Sequence, residues 1–171
     1  MNKMLIPALC YKEEMLKKFA AEMYSDKYFL YMGYAHAHTL PNLDDSDHNY
    51  RWAIVDKDPE SDNPDDMILI GYLAYRIYSD TNSVENFGLY AFDNTPKDSC
   101  LGTDVRDKLI ELINTYHRVS WRMIGGNPIQ HAYDWVVKKY NGNVVQLHDV
   151  TKDLQGNYRD EFIYEIINPE R

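Results

Sequence analysis

Three segments in a row, Tyr50-Arg-Trp-Ala-Ile-Val-Asp56, Met67 to Tyr78 and Ser83 to Asp93, are rich in β-branched and aromatic residues. They read as an antiparallel meander, with Ser79-Asp-Thr-Asn-Ser83 as the turn between the last two. The hydrophobic period changes on either side of this meander, and that change limits the folds available. Before it, a short strand, Lys3 to Cys10, leads into a helix from Lys12 to about Tyr24, whose Met15, Leu16, Phe19, Ala20 and Met23 form one stripe. A second helix is expected over Asp26 to His38. After the meander, Val105, Leu109, Leu112, Ile113 and Tyr116 define another helical face, and Val119 to Ile124 is a short buried strand. A further helix has Asn127 as N-cap and Pro128 at its first position. Its apolar face is Ile129, Ala132, Tyr133, Val136, Val137 and Tyr140, and Asn141-Gly142 stops it. Asn143 to Val150 and Asn157 to Ile167 make a closing hairpin. The order β-α-α-β-β-β-α-β-α-β-β predicts an α/β sandwich: a mixed central sheet of about seven strands with helices on both faces, one domain over residues 1–171.

Composition narrows the function classes. With 44% apolar residues in 171, the chain can bury one sizeable core. No apolar run approaches the roughly 20 residues that span a bilayer, and the first residues do not resemble a signal peptide. Cys10 and Cys100 lack metal-ligand spacing and are too sparse for a disulfide scaffold, so a cytoplasmic setting is expected. A formal charge of -9 argues against binding phosphate backbones, and neither nucleic acid nor membrane is an expected partner. Nine acids, Asp44, Asp45, Asp47, Asp56, Asp58, Glu60, Asp62, Asp65 and Asp66, crowd around one strand. They read either as two solvated turns or as a negative wall that steers a cationic acceptor.

One further stretch, Lys97-Asp-Ser-Cys-Leu-Gly-Thr103, enters the third helix directly after the meander. Unpaired N–H groups at a helix start, with small residues around them, suit an anion such as a pyrophosphate. The element order and this turn resemble the GNAT-type N-acetyltransferase superfamily over nearly the whole chain, in a divergent form. In that family the fourth strand runs into a loop Arg/Gln-x-x-Gly-x-Gly/Ala. Here Lys97 stands at the Arg/Gln position and Cys100 at the first Gly, where its side chain crowds the approach.

The resemblance implies an acyl-CoA N-acyltransferase-like sandwich that moves an acetyl group from acetyl-coenzyme A to a primary amine, expected to be a cationic small molecule or peptide. It places the coenzyme on Lys97, Asp98, Ser99, Cys100, Leu101, Gly102 and Thr103, with Asn127 at the start of the fourth helix and backbone groups near Phe92 against the acetyl carbonyl. Glu85 is the carboxylate it offers as base, provided that the fourth strand carries a bulge, because strict alternation from Phe92 selects Asn86 instead. The family's proton-donating tyrosine register falls on Lys138 or Val137, neither a tyrosine. Tyr133 and Tyr140 on the same helix are therefore the candidate donors, and both also belong to its apolar stripe. The alternative is an eroded member of the fold that binds coenzyme A or acts as an interaction module. A homodimer is compatible with either. No metal is expected: His36 and His38 near Asp44 lack a third ligand at characteristic spacing. The chain also has no GxxxxGK(S/T) loop and no Gly-x-Ser-x-Gly elbow.

Overall fold

In a computed structural model of the chain, residues 3–33, 40–44, 46, 48–58, 60–63, 66–93 and 101–171 are described, the side chains of 101–105 excepted. Seven strands form one sheet: β1 (Met4–Pro7), β2 (Asn49–Lys57), β3 (Met67–Tyr78), β4 (Ser83–Ala91), β5 (Arg118–Ile124), β6 (Asn143–Lys152) and β7 (Tyr158–Ile167). Their spatial order is β1-β2-β3-β4-β5-β7-β6, and every pairing is antiparallel except that of β4 with β5. The helices are α1 (Lys12–Glu22), α2 (Asp26–Met32), α3 (Leu101–Thr115) and α4 (Gln130–Lys139). The expected element order is the observed one.

Each sheet face has its own core. Leu109, Leu112 and Ile113 of α3 and Tyr133, Val136 and Val137 of α4 pack on Ile54, Leu73, Val84, Phe87 and Trp121. Met15 and Phe19 of α1 and Tyr28 of α2 pack on Ala53, Val55, Leu69, Tyr72, Tyr90 and Phe92. The two faces are read from alternate residues of the same strands, which is why the meander is rich in β-branched and aromatic residues at successive positions.

Local chemistry sets the element ends. Helix α2 stops at Met32, six residues short of the expected His38. Gly33 takes a left-handed φ of 70° and its N–H closes on the Phe29 carbonyl at 2.8 Å. Residues 34–39, His36 and His38 among them, lie outside the described residues. Asn127 does not begin α4 directly. Its Oδ1 accepts from the Ile129 N–H (3.1 Å) across a turn, and the regular helix starts at Gln130. At the far end Asn141 is left-handed (φ 51°), and the Gly142 N–H reaches back to the Val137 carbonyl at 2.9 Å, the six-to-one bond of a Schellman cap. Strand β1 ends at Pro7 in a 3-10 turn, Ala8–Tyr11, shorter than the expected run to Cys10.

Candidate active site

The site begins with a slip in β4. Ala74 of β3 opposes Gly88, but Arg76 opposes Glu85, so Asn86 and Phe87 share the one residue between, Tyr75. Asn86 absorbs the extra residue with φ 56°. Such a bulge bends and twists the strand that carries it. Strand β5 follows β4 in parallel only through Ser83–Arg118 and Val84–Val119; past the bulge the two separate. A cleft of about 820 Å³ occupies the gap, lined by Phe87, Gly88 and Leu89 on one side and Arg122, Met123 and Ile124 on the other.

Backbone polarity in this gap follows from the register. The Phe92 N–H donates to the Ile70 carbonyl at 2.9 Å. In an antiparallel ladder the N–H and C=O of alternate residues face the same neighbour, so Gly88, Tyr90 and Phe92 point at β3 while Leu89 and Ala91 point away from it. Among the described residues, no strand pairs with that side of β4 beyond Val84. Leu89 therefore turns an N–H and a C=O toward the cleft. This corrects the expectation for Phe92, whose amide is spent on β3 and whose ring is buried against Phe19 and Tyr90.

Five tyrosines stand in the lining, Tyr31, Tyr50, Tyr72, Tyr75 and Tyr133, and two of them come from helices, Tyr31 of α2 and Tyr133 of α4. Burial pushes both hydroxyls up from the ordinary tyrosine range; Lys27 partly offsets this at Tyr31, and Tyr31 adds to it at Tyr133. Tyr133 packs edge-on to Trp121 (5.4 Å between ring centroids), and among the described residues its hydroxyl has no hydrogen-bond partner. It is a core residue that also lines the cleft, and burial favours its protonated form. Tyr140, the other candidate, is half-buried against the α3/α4-side core and lies outside the lining.

Asn127 also lines the cleft, and its Nδ2 donates to the Leu30 carbonyl (3.2 Å), tying the entry of α4 to α2. Glu85 does share the face of Phe92, as a bulge requires, yet it does not line the cleft. Arg118 holds it at 3.0 Å while also donating to Glu165 at 2.6 Å. The carboxylate in the described lining is instead Glu161 of β7, 3.1 Å from Arg122. Nothing in the local sequence singles out Glu161; only the β5–β7 pairing carries it there.

The expected coenzyme residues Lys97, Asp98, Ser99 and Cys100 lie outside the described residues. Leu101, Gly102 and Thr103 form the first turn of α3, so a helix start does follow β4 as expected. The exit of β4 is fixed by Glu22, a buried carboxylate within the α1 stripe that the apolar pattern passed over. Its Oε1 accepts from the Asp93 N–H (3.0 Å), and its Oε2 accepts from the Tyr90 hydroxyl (2.7 Å) and Lys27 (3.2 Å). The signal was present in its spacing: Met15, Phe19 and Glu22 fall at i, i+4 and i+7.

Burial first, then the hydrogen bond to Glu22, raises the Tyr90 phenol far above its ordinary value of 10.0; burial also raises Tyr133 and Tyr164. The folded protein thus keeps protons that unfolded tyrosines release near pH 10, so stability is full below about pH 10 and falls as pH rises above it. The denaturant midpoint should hold between about pH 8 and 9 and drop above about pH 10, less steeply in Tyr90→Phe. A midpoint flat through about pH 11 in the parent would contradict this.

Of the acids around β2, Asp56 is buried, Asp44, Glu60, Asp62 and Asp66 are exposed, and Asp58 is half-buried. None of these lines the cleft, and Asp45, Asp47 and Asp65 lie outside the described residues. The expected negative wall is therefore not found at the cleft among the described residues.

No protein-family model and no curated protein matches the chain. Solved structures do match. An N-acetyltransferase from Staphylococcus aureus superposes with a TM-score of 0.60 at 13% identity, covering 98% of this chain and 99% of that one. A spermidine N-acetyltransferase from Vibrio cholerae, in complex with CoA and spermine, gives a TM-score of 0.60 at 13% identity over 97% and 94%. A probable GNAT-family acetyltransferase from Chromobacterium violaceum gives 0.54 at 15% identity over 96% and 81%. The fold is that of the GNAT acetyltransferases, at an identity low enough to be a divergent form of it.

Proposed function

We propose that the chain is an N-acetyltransferase that moves an acetyl group from acetyl-coenzyme A to a primary amine. The observation that carries this reading is the separation of β4 from β5 beyond Val84 and Val119, which leaves the Leu89 edge unpaired beside the Tyr133 phenol. An unpaired strand edge suits the amide-bearing arm of coenzyme A, since an extended amide chain can complete a ladder as an added strand does. The start of α3 after β4 suits its pyrophosphate, with residues 97–103 as the loop that would hold it. Acetyl-coenzyme A supplies the activated acyl group.

The chain's residues then have distinct tasks. The Leu89 N–H donates to the thioester oxygen and stabilises the charge that grows there as the amine attacks. One C–N bond forms and one C–S bond breaks; the amine loses a proton and the sulfur gains one. Glu161 takes the amine proton through cleft water, and Tyr133 donates toward the departing sulfur. Thiols are better leaving groups than alcohols, so the contribution of Tyr133 is modest. Tyr133→Phe should lower kcat about tenfold, below the usual range for an essential acid, with coenzyme affinity nearly unchanged. An unaltered kcat would return Tyr133 to the core alone.

The test of the reading pairs calorimetric titration of acetyl-coenzyme A with thiol release across an amine panel. Binding plus amine-dependent thiol release supports it. Binding with no release from any amine favours the eroded, coenzyme-binding alternative. No binding overturns both.

A further inference from the structure

Arg76 of β3 lines the cleft and has no hydrogen bond or ion pair to any described residue. Its Nε is buried without a partner, and its guanidinium carbon lies 5.8 Å from the centre of the Tyr78 ring. That Nε has lost water without regaining an acceptor, which is costly unless something else supplies one. The carboxylate directly across the ladder, Glu85, does not supply it, because Arg118 already holds Glu85. The carboxylate that the ladder sets opposite Arg76 is thus engaged elsewhere.

The surroundings strengthen the point. Asn49 is the β2 residue directly opposite Arg76, and Arg51, two positions along, shares its face. Arg51 donates to the Asp44 carbonyl at 2.6 Å, a neutral partner that leaves its charge uncompensated. Arg122 is compensated by Glu161. The charged groups in the described lining are thus three arginines and one glutamate, an excess of two positive charges in a chain whose formal charge is -9.

The coenzyme's phosphates do not account for this. Arg76 opposes Glu85 near the start of β4, whereas α3 begins beyond its other end, and six strand steps separate Glu85 from Ala91, about 20 Å. Arg76 lies beside the bulge, and Arg51 opposes Ala74, the last β3 residue paired before it.

We infer that the acceptor amine carries a carboxylate, held by Arg76 in a paired N–H to oxygen arrangement, with Arg51 and Asn49 at its rim. A planar guanidinium matches a carboxylate with two parallel hydrogen bonds, and one whose Nε is already out of water disfavours a ligand that leaves that N–H bare. The substrate class is an amino acid or a short acidic peptide amine, not a polycation. This inference rests on the acetyl-transfer reading and narrows it.

The experiment compares three amines of matched chain length: an ω-amino acid, its carboxamide and the corresponding diamine. Thiol release and calorimetric binding to the coenzyme A complex are both measured, in the parent and in Arg76→Gln and Arg76→Lys. The amino acid should bind and react at least tenfold better than the other two. Arg76→Gln should remove that preference, with Arg76→Lys between, while the melting temperature and coenzyme A affinity stay at parent values. Equal or greater preference for the diamine in the parent overturns the inference and leaves acetyl transfer standing, as does amino-acid affinity unchanged by Arg76→Gln. Acetyl transfer itself fails separately, by absence of thiol release with every amine even where carboxylate binding is intact.

Discussion

Leu89→Pro is expected to lower kcat by about 10²–10³-fold, the usual loss when one preorganised donor to a developing oxyanion is removed. Proline deletes the N–H that would face the thioester oxygen and spares the ladder. The Leu89 N–H points away from β3, so its loss breaks no bond to Leu73, the β3 residue opposite it. The preceding Gly88 is the residue type least restricted by a following proline, and a Cβ built on Gly88 would meet no atom within 4 Å, so the strand has room to adjust. Coenzyme A affinity should fall less than kcat, because the donor acts mainly on charge present in the transition state. Single-turnover thiol release and calorimetry measure the two separately. A Leu89→Pro variant that keeps parent kcat with an unchanged melting temperature would remove the β4 edge from the chemistry.

The largest expected effect on stability is at Gly142. A Cβ there would stand 2.5 Å from the Glu165 carbonyl oxygen and 2.7 Å from Ile166 Cγ1, and the first of these is backbone of β7 that cannot swing aside. Gly142→Ala should therefore cost about 3 kcal/mol, at the upper end for overpacking, and lower the melting temperature by roughly 6–12 °C for a domain of this size. The comparison variant is Gly88→Ala, where the added Cβ has open space, and its effect should be within about 1 kcal/mol. Denaturant melts of both report the difference. Equal midpoints would mean that the α4–β6 turn moves to accept the methyl group. The requirement for Gly142 is thus one of close approach: the left-handed position of the cap is taken by Asn141, one residue earlier.

The fold was legible because it is written in periods. Helical stripes such as Leu109, Leu112 and Ile113 and the β-branched runs of the meander each bury a face, and burial depends on spacing along a single segment. The ends of α4 were legible for a similar reason. Asn127 and the Asn141-Gly142 pair act through hydrogen bonds within a few residues, although the turn before Gln130 moved the helix start. The site was less legible, and the failures share a cause. One extra residue at Asn86 changes which face Glu85 occupies, and only the pairing of β4 with β3 reveals it. Which amide of β4 stays unpaired depends on the same register, so the expectation fell on Phe92 when the free edge is at Leu89. Glu22 is not one of the apolar residues that mark the stripe of its helix, and its partners Tyr90, Lys27 and the Asp93 amide all come from other segments.

Charge shows the division most plainly. The sequence by itself determined that the chain is acidic and that nine acids cluster around one strand, since charge adds up regardless of folding. Only the tertiary structure decided where the cleft opens and what faces it. Strand pairing brings Arg76, Arg51 and Arg122 to its lining and leaves the described acids of that cluster outside, because a side chain's neighbours are set by register across strands far apart in the chain.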